Sequence, residues 1–219
     1  VSLAMALALP VGAASESLRM AGYTPSPLYV GLDLQYSRPR YLAWEFVPGT
    51  LPSDSSQGLR LGLDWITPFP YGTLTLGFGL SGSVLPNVLV GKKGDGSAIY
   101  ASLNAFPLDV SLSYRLLFVY NQILVPFGRI GTSAVLAAQT SKTGGEKTGT
   151  FAGIGWDWGV GLEISLHSLD RISQNLFDTD FGVNHTFLVV EYIQSRSVLR
   201  SSQPNFSRDE IRAGLRFEL

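Results

Sequence analysis

The sequence predicts an all-β fold: a closed antiparallel transmembrane β-barrel of about eight strands, with one short helix on the periplasmic side. Three observations lead to this prediction. Segments in which apolar side chains alternate with glycine or polar side chains recur along the chain. The links between these segments alternate between short and long. Aromatic residues gather beside the short links, as they do at a membrane interface.

The chain opens with a short apolar run, Val1–Ala13, that closes on small residues. Val11 and Ala13 stand at the small-residue positions of a cleavage site, so residues 1–13 are expected to be the remnant of a signal peptide. A buried N-terminal helix is the alternative, because the run is too short to span a bilayer. Residues 14–27 would then form a periplasmic tail, and the barrel is expected over residues 28–219.

Phe151–Leu166 shows the strand pattern most clearly. Its even positions are Ala152, Ile154, Trp156, Trp158, Val160, Leu162, Ile164 and Leu166. The odd positions between them are mostly glycine, with Asp157 and Glu163. Successive side chains of a strand point to opposite faces, so one face is oily and the other is small and acidic. Large apolar side chains suit lipid, whereas small and acidic ones suit a crowded lumen.

The same alternation predicts the other strands. In chain order the predicted strands are Leu28–Tyr36, Gly58–Trp65, Thr73–Ser81, Leu108–Tyr120, Ile123–Ala137, Phe151–Leu166, Leu188–Tyr192 and Ile211–Leu219. The facing of Ile123–Ala137 stays open, because Pro126 and several small residues blur its pattern. An even number of strands allows a closed wall with both chain ends on one side, so the last strand is expected to pair with the first.

The predicted links fall into two classes. Pro68–Gly72 and Asn121–Gln122 are short, as periplasmic turns are. The long outer links are expected at Ser37–Gln57, Pro86–Ser97, Ala138–Gly149 and Ser195–Ser207. His167–Asn184 is a long link on the short side, and its Leu169, Ile172 and Leu176 share one face of a helix. We expect a short helix on the membrane surface, with a helical turn packed across the barrel mouth as the alternative.

Acids and arginines occur together on the predicted inward faces. They are Asp33, Arg60, Asp64, Arg115, Asp157, Glu163, Glu191, Arg212, Arg216 and Glu218. Enclosed charges of opposite sign pair, because an isolated buried charge is very costly. An eight-stranded wall leaves room for little but side chains, which favours a lumen plugged by ion pairs. A narrow polar path for ions or small solutes is the alternative.

Aromatic and basic residues mark the two ends of the predicted barrel. The expected lipid-facing or girdle residues are Trp65, Tyr71, Tyr120, Trp156, Trp158 and Phe217. The basic residues expected in the outer links are Lys92, Lys93, Lys142, Lys147, Arg196, Arg200 and Arg208. Cationic side chains there would either face the phosphates of lipopolysaccharide or form an ordinary solvated surface.

Several functional classes receive little support. The formal net charge of -1 and the lack of a basic stripe argue against nucleic-acid binding. The absence of cysteine excludes a thiolate metal site and a thiol nucleophile. Asp178–Asn184 spaces oxygen atoms as a calcium loop does but lacks the later bidentate glutamate, so a turn is expected, with no cofactor or metal.

From Leu28 onward the chain resembles the small bacterial outer-membrane barrels, such as the OmpA barrel domain, OmpX and OmpW. The resemblance rests on the strands with alternating polarity, on the alternation of short and long links, and on the last strand, Ile211–Leu219. The resemblance implies an outer-membrane location and a structural or interaction role through the outer loops and the lipid-facing surface. It implies outer-membrane lipid and lipopolysaccharide as partners, and a protein partner through the loops.

Two other classes of protein fit the sequence less well. The His-x-Ser pattern of lipid A deacylases is absent, because Leu169 and Phe187 follow His167 and His185 two positions on. Ser168 adjoins His167 but would point to the opposite face of a strand, so no enzyme is expected. A soluble lipocalin-like carrier, with the oily faces lining a cavity, is the other alternative.

Overall fold

The computed structural model describes residues 29–41, 56–92, 98–118, 122–141, 150–166, 183–198 and 206–219. These ranges contain eight strands: β1 Tyr29–Tyr41, β2 Gln57–Phe69, β3 Gly72–Lys92, β4 Ala98–Leu116, β5 Leu124–Ser141, β6 Thr150–Ser165, β7 His185–Ser197 and β8 Arg208–Glu218. Within the described ranges, no helical segment is long and apolar enough to cross a bilayer. The short helix expected after His167 falls on residues 167–182, outside these ranges, and so do residues 1–28.

The strands form one closed antiparallel barrel in sequence order. Each strand pairs with the next, and β1 also pairs with β8, with Leu34 opposite Leu215 and Asp33 opposite Arg216. Closure leaves no strand edge with unpaired backbone groups, which a membrane barrel requires. The prediction of a closed antiparallel barrel of about eight strands is therefore confirmed.

The barrel wall is apolar outside and polar inside. In β2, Leu59 and Leu61 point outward with 62% and 61% of their surface exposed, whereas Arg60 and Asp64 point inward and are 2% and 3% exposed. A soluble barrel would bury the leucines and expose the charges. The lipocalin-like alternative is therefore wrong, because the oily faces line the exterior and not a cavity.

The structure corrects the bounds of several predicted strands. β3 runs on to Lys92, inside the predicted Pro86–Ser97 link, and β4 begins at Ala98 instead of Leu108, so that only residues 93–97 separate them. Their register shifts between Leu85 and Val88, where a bulge accommodates Pro86, which cannot donate to the ladder. β7 spans His185–Ser197 and is longer than predicted. Its inward face carries the apolar Phe187, Val189 and Ile193, which hide the alternation of polarity.

β5, whose facing the sequence left open, turns its odd positions inward. Val125, Phe127, Arg129 and Ser133 are buried in the lumen, whereas Ile130 on the outer wall is 63% exposed. Inward side chains of β5 are therefore polar only in the middle of the strand, which explains why no simple alternation of polarity was visible.

The two ends of the barrel differ in their connections. A tight turn at Pro70–Tyr71, with Tyr71 at φ 60, joins β2 to β3 at the end where β1 begins and β8 finishes. Tight turns mark the periplasmic end of membrane barrels, so we call this the lower end. Residues 42–56, 93–97, 142–149 and 198–207 connect the strands at the opposite, upper end.

Candidate functional site

The lumen is the site where this chain concentrates its charge. Four of its largest fully buried side chains are arginines, at positions 60, 115, 208 and 212. Arg60 lies on β2 and Arg115 on β4, and β8 carries both Arg208 and Arg212. A buried guanidinium is tolerated only when carboxylates pair with it and accept its hydrogen bonds.

The lower part of the lumen holds two arginines among four acids. Arg115 pairs with Glu163, Nη2 to Oε2 at 2.6 Å, and with Glu218. Arg216 donates to both carboxylate oxygens of Asp33, at 2.8 and 3.0 Å, and also pairs with Glu163. Its Nη2 lies 2.9 Å from Asp64 Oδ2. The two arginines and their partners thereby join five strands: β1, β2, β4, β6 and β8.

Arg60 and Arg129 continue the pairing through the middle of the lumen. Arg60 lies 3.4 Å from Asp33 and 3.0 Å from Asp109. Arg129 lies 3.1 Å from the same Asp109 and 3.3 Å from Glu191. Asp109 therefore bridges two arginines that come from β2 and β5.

The upper part of the lumen completes the series. Arg212 lies 3.4 Å from Glu191 and 2.9 Å from Glu210, and Arg208 lies 3.1 Å from Glu210. Acids and arginines thus alternate without a break along the barrel. We call this series the ionic column: Glu218, Arg115, Glu163, Arg216, Asp33, Arg60, Asp109, Arg129, Glu191, Arg212, Glu210 and Arg208, with Asp64 beside Arg216.

Inward-facing glycines make room for the column. A Cβ placed on Gly79 would lie 2.6 Å from both Arg60 Nε and Asp109 Oδ1, and one on Gly77 would lie 2.6 Å from Asp64 Oδ1. A Cβ on Gly62 would lie 2.6 Å from Arg60 Nη1. The glycines on the polar faces of β2 and β3 therefore serve packing, since they leave the space that the guanidinium and carboxylate groups fill.

Apolar side chains occupy the lumen at both ends of the ionic column. The lower apolar cluster is Leu117, Val125, Phe127, Phe187 and Val189. The upper apolar cluster is Tyr41, Leu85, Leu103, Ala105, Val135, Ala137 and Phe206, with Phe151 packed against it. The Arg115 guanidinium lies over the Phe187 ring, 4.7 Å from its centroid, and so joins the column to the lower cluster.

The predicted lumen residues lie inside the barrel, with one difference in their pairing. Asp157 accepts a hydrogen bond from Ser133 at 3.1 Å and, among the described residues, has no arginine within ion-pair distance. Sequence reasoning missed four members of the column: Asp109, Arg129, Glu210 and Arg208. Asp109 carried a visible signal, since it alternates with Leu108 and Val110, whereas Arg129 lies on the strand of open facing.

Arg208 was expected in an outer link, and this is wrong. It lies in β8, is 1% exposed and pairs with Glu210 inside the lumen. The strand begins three residues earlier than the predicted Ile211, and this shift places Arg208 on the inward face. Arg196 also belongs to a strand, since it lies on the outer wall of β7 and pairs with Asp209 at 3.0 Å.

The expected girdle residues lie on the outer wall where the structure describes them. Trp65, Trp156 and Trp158 are 37%, 48% and 38% exposed, and Tyr71 at the lower turn is 70% exposed. Trp65 packs edge-on against Phe78, with 5.3 Å between ring centroids. Phe217 is half-buried on β8, and Tyr120 lies outside the described residues.

The remaining candidates contribute little to a chemical site. His185 stands at the start of β7 and contacts the Phe187 ring. Among the described residues, no three His, Cys, Asp or Glu side chains are placed to hold a metal. Most of the Asp178–Asn184 segment lies outside the described ranges, as do His167, Ser168, Lys93, Lys142, Lys147 and Arg200.

Comparison with solved structures places this architecture among known barrels. The outer membrane protein OprG of Pseudomonas aeruginosa aligns with a TM-score of 0.51 at 9% identity, over 88% of this chain and 95% of OprG. Neisserial surface protein A aligns at 0.48 and 12% identity, over 89% and 98% of the two chains. The attachment invasion locus protein Ail of Yersinia pestis aligns at 0.48 and 10% identity, over 88% and 97%.

No protein-family model matches the sequence, and no curated protein matches it. The likeness to OprG is one of fold, and that fold is the closed antiparallel barrel that the sequence predicts. The apolar exterior and the closed ring of strands are the features of a transmembrane β-barrel.

Proposed function

We propose that the protein is a closed outer-membrane barrel with a structural or interaction role, which it performs through its outer links and its lipid-facing wall. One observation carries this proposal: the ionic column runs along the lumen, and the two apolar clusters fill lumen space beside its two ends. Outer-membrane lipid, lipopolysaccharide and a protein bound by the outer links are the proposed partners.

Moving a solute through this lumen would cost a large free energy. A hydrated ion would first have to shed water among Phe127, Phe187 and their apolar neighbours, which is strongly unfavourable. It would also have to separate guanidinium and carboxylate groups that are at most 7% exposed. Breaking one such buried pair costs about 3–5 kcal/mol. A closed lumen leaves the outer surface as the part that can bind partners.

Single-channel recording in planar bilayers tests the proposal. The folded full-length protein should give no reproducible conductance steps, and neither should Asp209→Asn, a matched change of an outward-facing acid. A reproducible open state in the wild type, with a conductance that changes in Glu163→Gln or Arg115→Met, would mean instead that the barrel is a narrow channel for ions or small solutes. Folding of each variant is checked by its mobility shift on heating.

A further inference from the structure

The outer wall of the barrel is apolar to a different height on different strands. The outward side chains are apolar or aromatic throughout 106–118 on β4 and throughout 152–164 on β6. On β1 they are apolar or aromatic only from Val30 to Tyr36, because Arg38 is the next outward residue. The apolar part of the wall therefore ends sooner on β1 than on the opposite side of the barrel.

The strands β7, β8 and β1 carry the polar side chains that limit the apolar wall. They are Gln194 and Arg196 on β7, Asp209 on β8, and Arg38 and Arg40 on β1, and we call these five residues the polar band. Arg40 is opposite Asp209, which is in turn opposite Gln194. Arg196 donates to Asp209 at 3.0 Å and to Gln194 Oε1 at 3.1 Å. Among the strand residues whose side chains the structure describes, no outward-facing position beyond this band carries a charge.

The polar band cannot lie in hydrocarbon, whatever the partners of its charged groups. An ion pair on a lipid-facing surface is still far too polar for the bilayer interior. Arg38 and Arg40 have long side chains that can extend toward the headgroups, but Asp209 and Gln194 are too short to do so. Gln194 also donates to the Tyr192 hydroxyl at 2.8 Å, and tyrosine with a polar partner is typical of the membrane interface. The hydrocarbon layer must therefore end near Gln194 and Asp209.

The lower ends of the strands provide a common level from which the apolar wall can be measured. Backbone hydrogen bonds join neighbouring ends around the barrel, and they link Leu117 to Tyr71, Ser165 to Ile123, Leu166 to Thr186, Asn184 to Glu218 and Leu219 to Val30. Because these bonds run from strand to strand, no lower end is displaced far from its neighbours. The difference between strands thus lies at the upper end of the apolar wall.

The apolar wall is about 10 Å shorter beside β8 and β1 than on the opposite side. A strand rises about 3.3 Å per residue, or about 2.5 Å along the membrane normal at a tilt of about 40°. The apolar wall therefore rises roughly 30 Å over residues 106–118 and 152–164. It rises only about 20 Å from Leu219 to Ile211 on β8 and about 15 Å from Val30 to Tyr36 on β1.

A tilt of the whole barrel would not remove this difference. A tilt that lifted the polar band toward the headgroups would lower β4 and β5 on the opposite side. It would push Phe118, Ile123 and Leu124, which are 61%, 46% and 52% exposed at the lower end, out of the hydrocarbon and into water. The membrane must therefore adapt to the shape of the wall.

We infer that the outer leaflet is thinned beside the polar band, so that the sector formed by β7, β8 and β1 fits a thinner lipid layer than β4, β5 and β6 do. A bilayer commonly becomes thinner where it meets an apolar wall shorter than its own hydrocarbon layer. The inference rests on the lipid-facing wall of the proposed function and is independent of whether the lumen is closed. A conducting barrel would therefore leave it standing.

The depth of spin labels in the bilayer tests the inference. The chain has no cysteine, so Ile211→Cys on β8 and Thr132→Cys on β5 can each carry a single nitroxide label on the outer wall. These positions lie equally far above Leu219 and Leu124 at the lower end. Power-saturation EPR of the folded full-length protein in phosphatidylcholine vesicles measures label depth from the access of oxygen and of a water-soluble nickel complex. The label at position 211 should lie about 5 Å or more closer to the upper aqueous phase.

Two variants made with Ile211→Cys test whether the polar band causes the thinning. Arg38→Leu/Arg40→Leu/Arg196→Leu/Asp209→Leu extends the apolar wall upward and should bring the label to within about 2 Å of the depth at position 132. The matched control, Arg38→Lys/Arg40→Lys/Arg196→Lys, keeps the charges and should leave the difference in depth unchanged. The mobility shift on heating checks the folding of each variant, and the comparison of positions 211 and 132 needs neither of them.

Three results would overturn the inference. The first is an equal depth of the labels at positions 211 and 132. The second is a difference in depth that persists in the folded leucine variant. The third is exclusion of both oxygen and the nickel complex from position 211, which would show that a second copy of the chain covers this sector in place of thinned lipid.

Discussion

Arg216 and Asp33 form a bidentate ion pair directly across the seam where the first and last strands meet. The two residues are opposite each other in the register of β1 and β8, and Arg216 Nε and Nη2 lie 2.8 and 3.0 Å from the two Asp33 oxygens. They are 183 positions apart in the sequence. Closure of the barrel therefore creates an interaction that no local segment could form.

Asp33→Asn should destabilise the barrel by about 3–5 kcal/mol, because it leaves Arg216 and Arg60 short of a buried negative partner. The free energy of unfolding in urea, measured with the protein folded into lipid vesicles, checks this. Asp157→Asn is the matched control, since Asp157 is 3% exposed but receives a hydrogen bond from Ser133 instead of pairing with arginine. An equal decrease in the free energy of unfolding in the two variants would show that the ion pairs do not stabilise the β1–β8 junction.

A disulfide can report the seam directly, because the natural chain has no cysteine. Tyr36 and Ala213 are opposite each other on the outer wall, at a cross-strand separation that a disulfide spans. Tyr36→Cys/Ala213→Cys should form an intramolecular disulfide in the folded protein. Tyr36→Cys/Ala134→Cys, whose second site lies on β5, should not. A disulfide in the second variant alone would contradict the strand order.

Phe127→Ala should cost about 3–5 kcal/mol, because it opens a cavity in the lower apolar cluster that cannot collapse inside a rigid wall. Phe106→Ala removes an equal side chain from the outer wall, where Phe106 is 48% exposed. Lipid tails can fill the space that the Phe106 ring leaves, so Phe106→Ala should lower the free energy of unfolding much less than Phe127→Ala. Unfolding in urea from vesicles would compare the two, and a larger loss at Phe106 would argue against a packed lumen.

Gly79→Ala should destabilise the protein by about 1–3 kcal/mol, because its methyl group would lie 2.6 Å from Arg60 and Asp109 and force them apart. Gly82 on the same strand is the control. A Cβ there would contact only the Phe106 ring, at 3.9 Å. Gly82→Ala should therefore leave the free energy of unfolding nearly unchanged, and equal effects would show that Gly79 does not serve the packing of the column.

How much of the fold can be predicted from the sequence depends on which strands show a clear alternation of apolar and polar residues. Outward side chains such as Leu59, Leu61 and Leu63 are apolar along the part of the wall that contacts lipid. They were sufficient to predict an eight-stranded membrane barrel. The inward faces of β5 and β7 become apolar where these strands reach the apolar clusters, so their sequences lose the alternation of polarity there. Phe187 and Val189 obscured the start of β7 in this way.

The candidate site was predictable in composition but not in connectivity. Asp33 and Arg216 could be placed in the lumen from their position in alternating strands, but their pairing depends on the register of the closed ring. Arg208 and Glu210 were missed because an ion pair between inward residues makes the upper end of β8 look like a polar link. The lower apolar cluster comes from the ends of β4, β5 and β7, and the upper one from six strand ends, which only the folded barrel brings together.

Thiol labelling from the aqueous phase tests the closed lumen most directly. Ser111→Cys places a thiol on an inward position that is 7% exposed in the middle of β4, and Gln57→Cys places one on an exposed position at the upper end of β2. In vesicles, a small charged methanethiosulfonate reagent should modify Cys at position 57 rapidly and Cys at position 111 only after unfolding. Rapid labelling at position 111 in the folded protein, at the rate seen at position 57, would show that water and ions reach the ionic column.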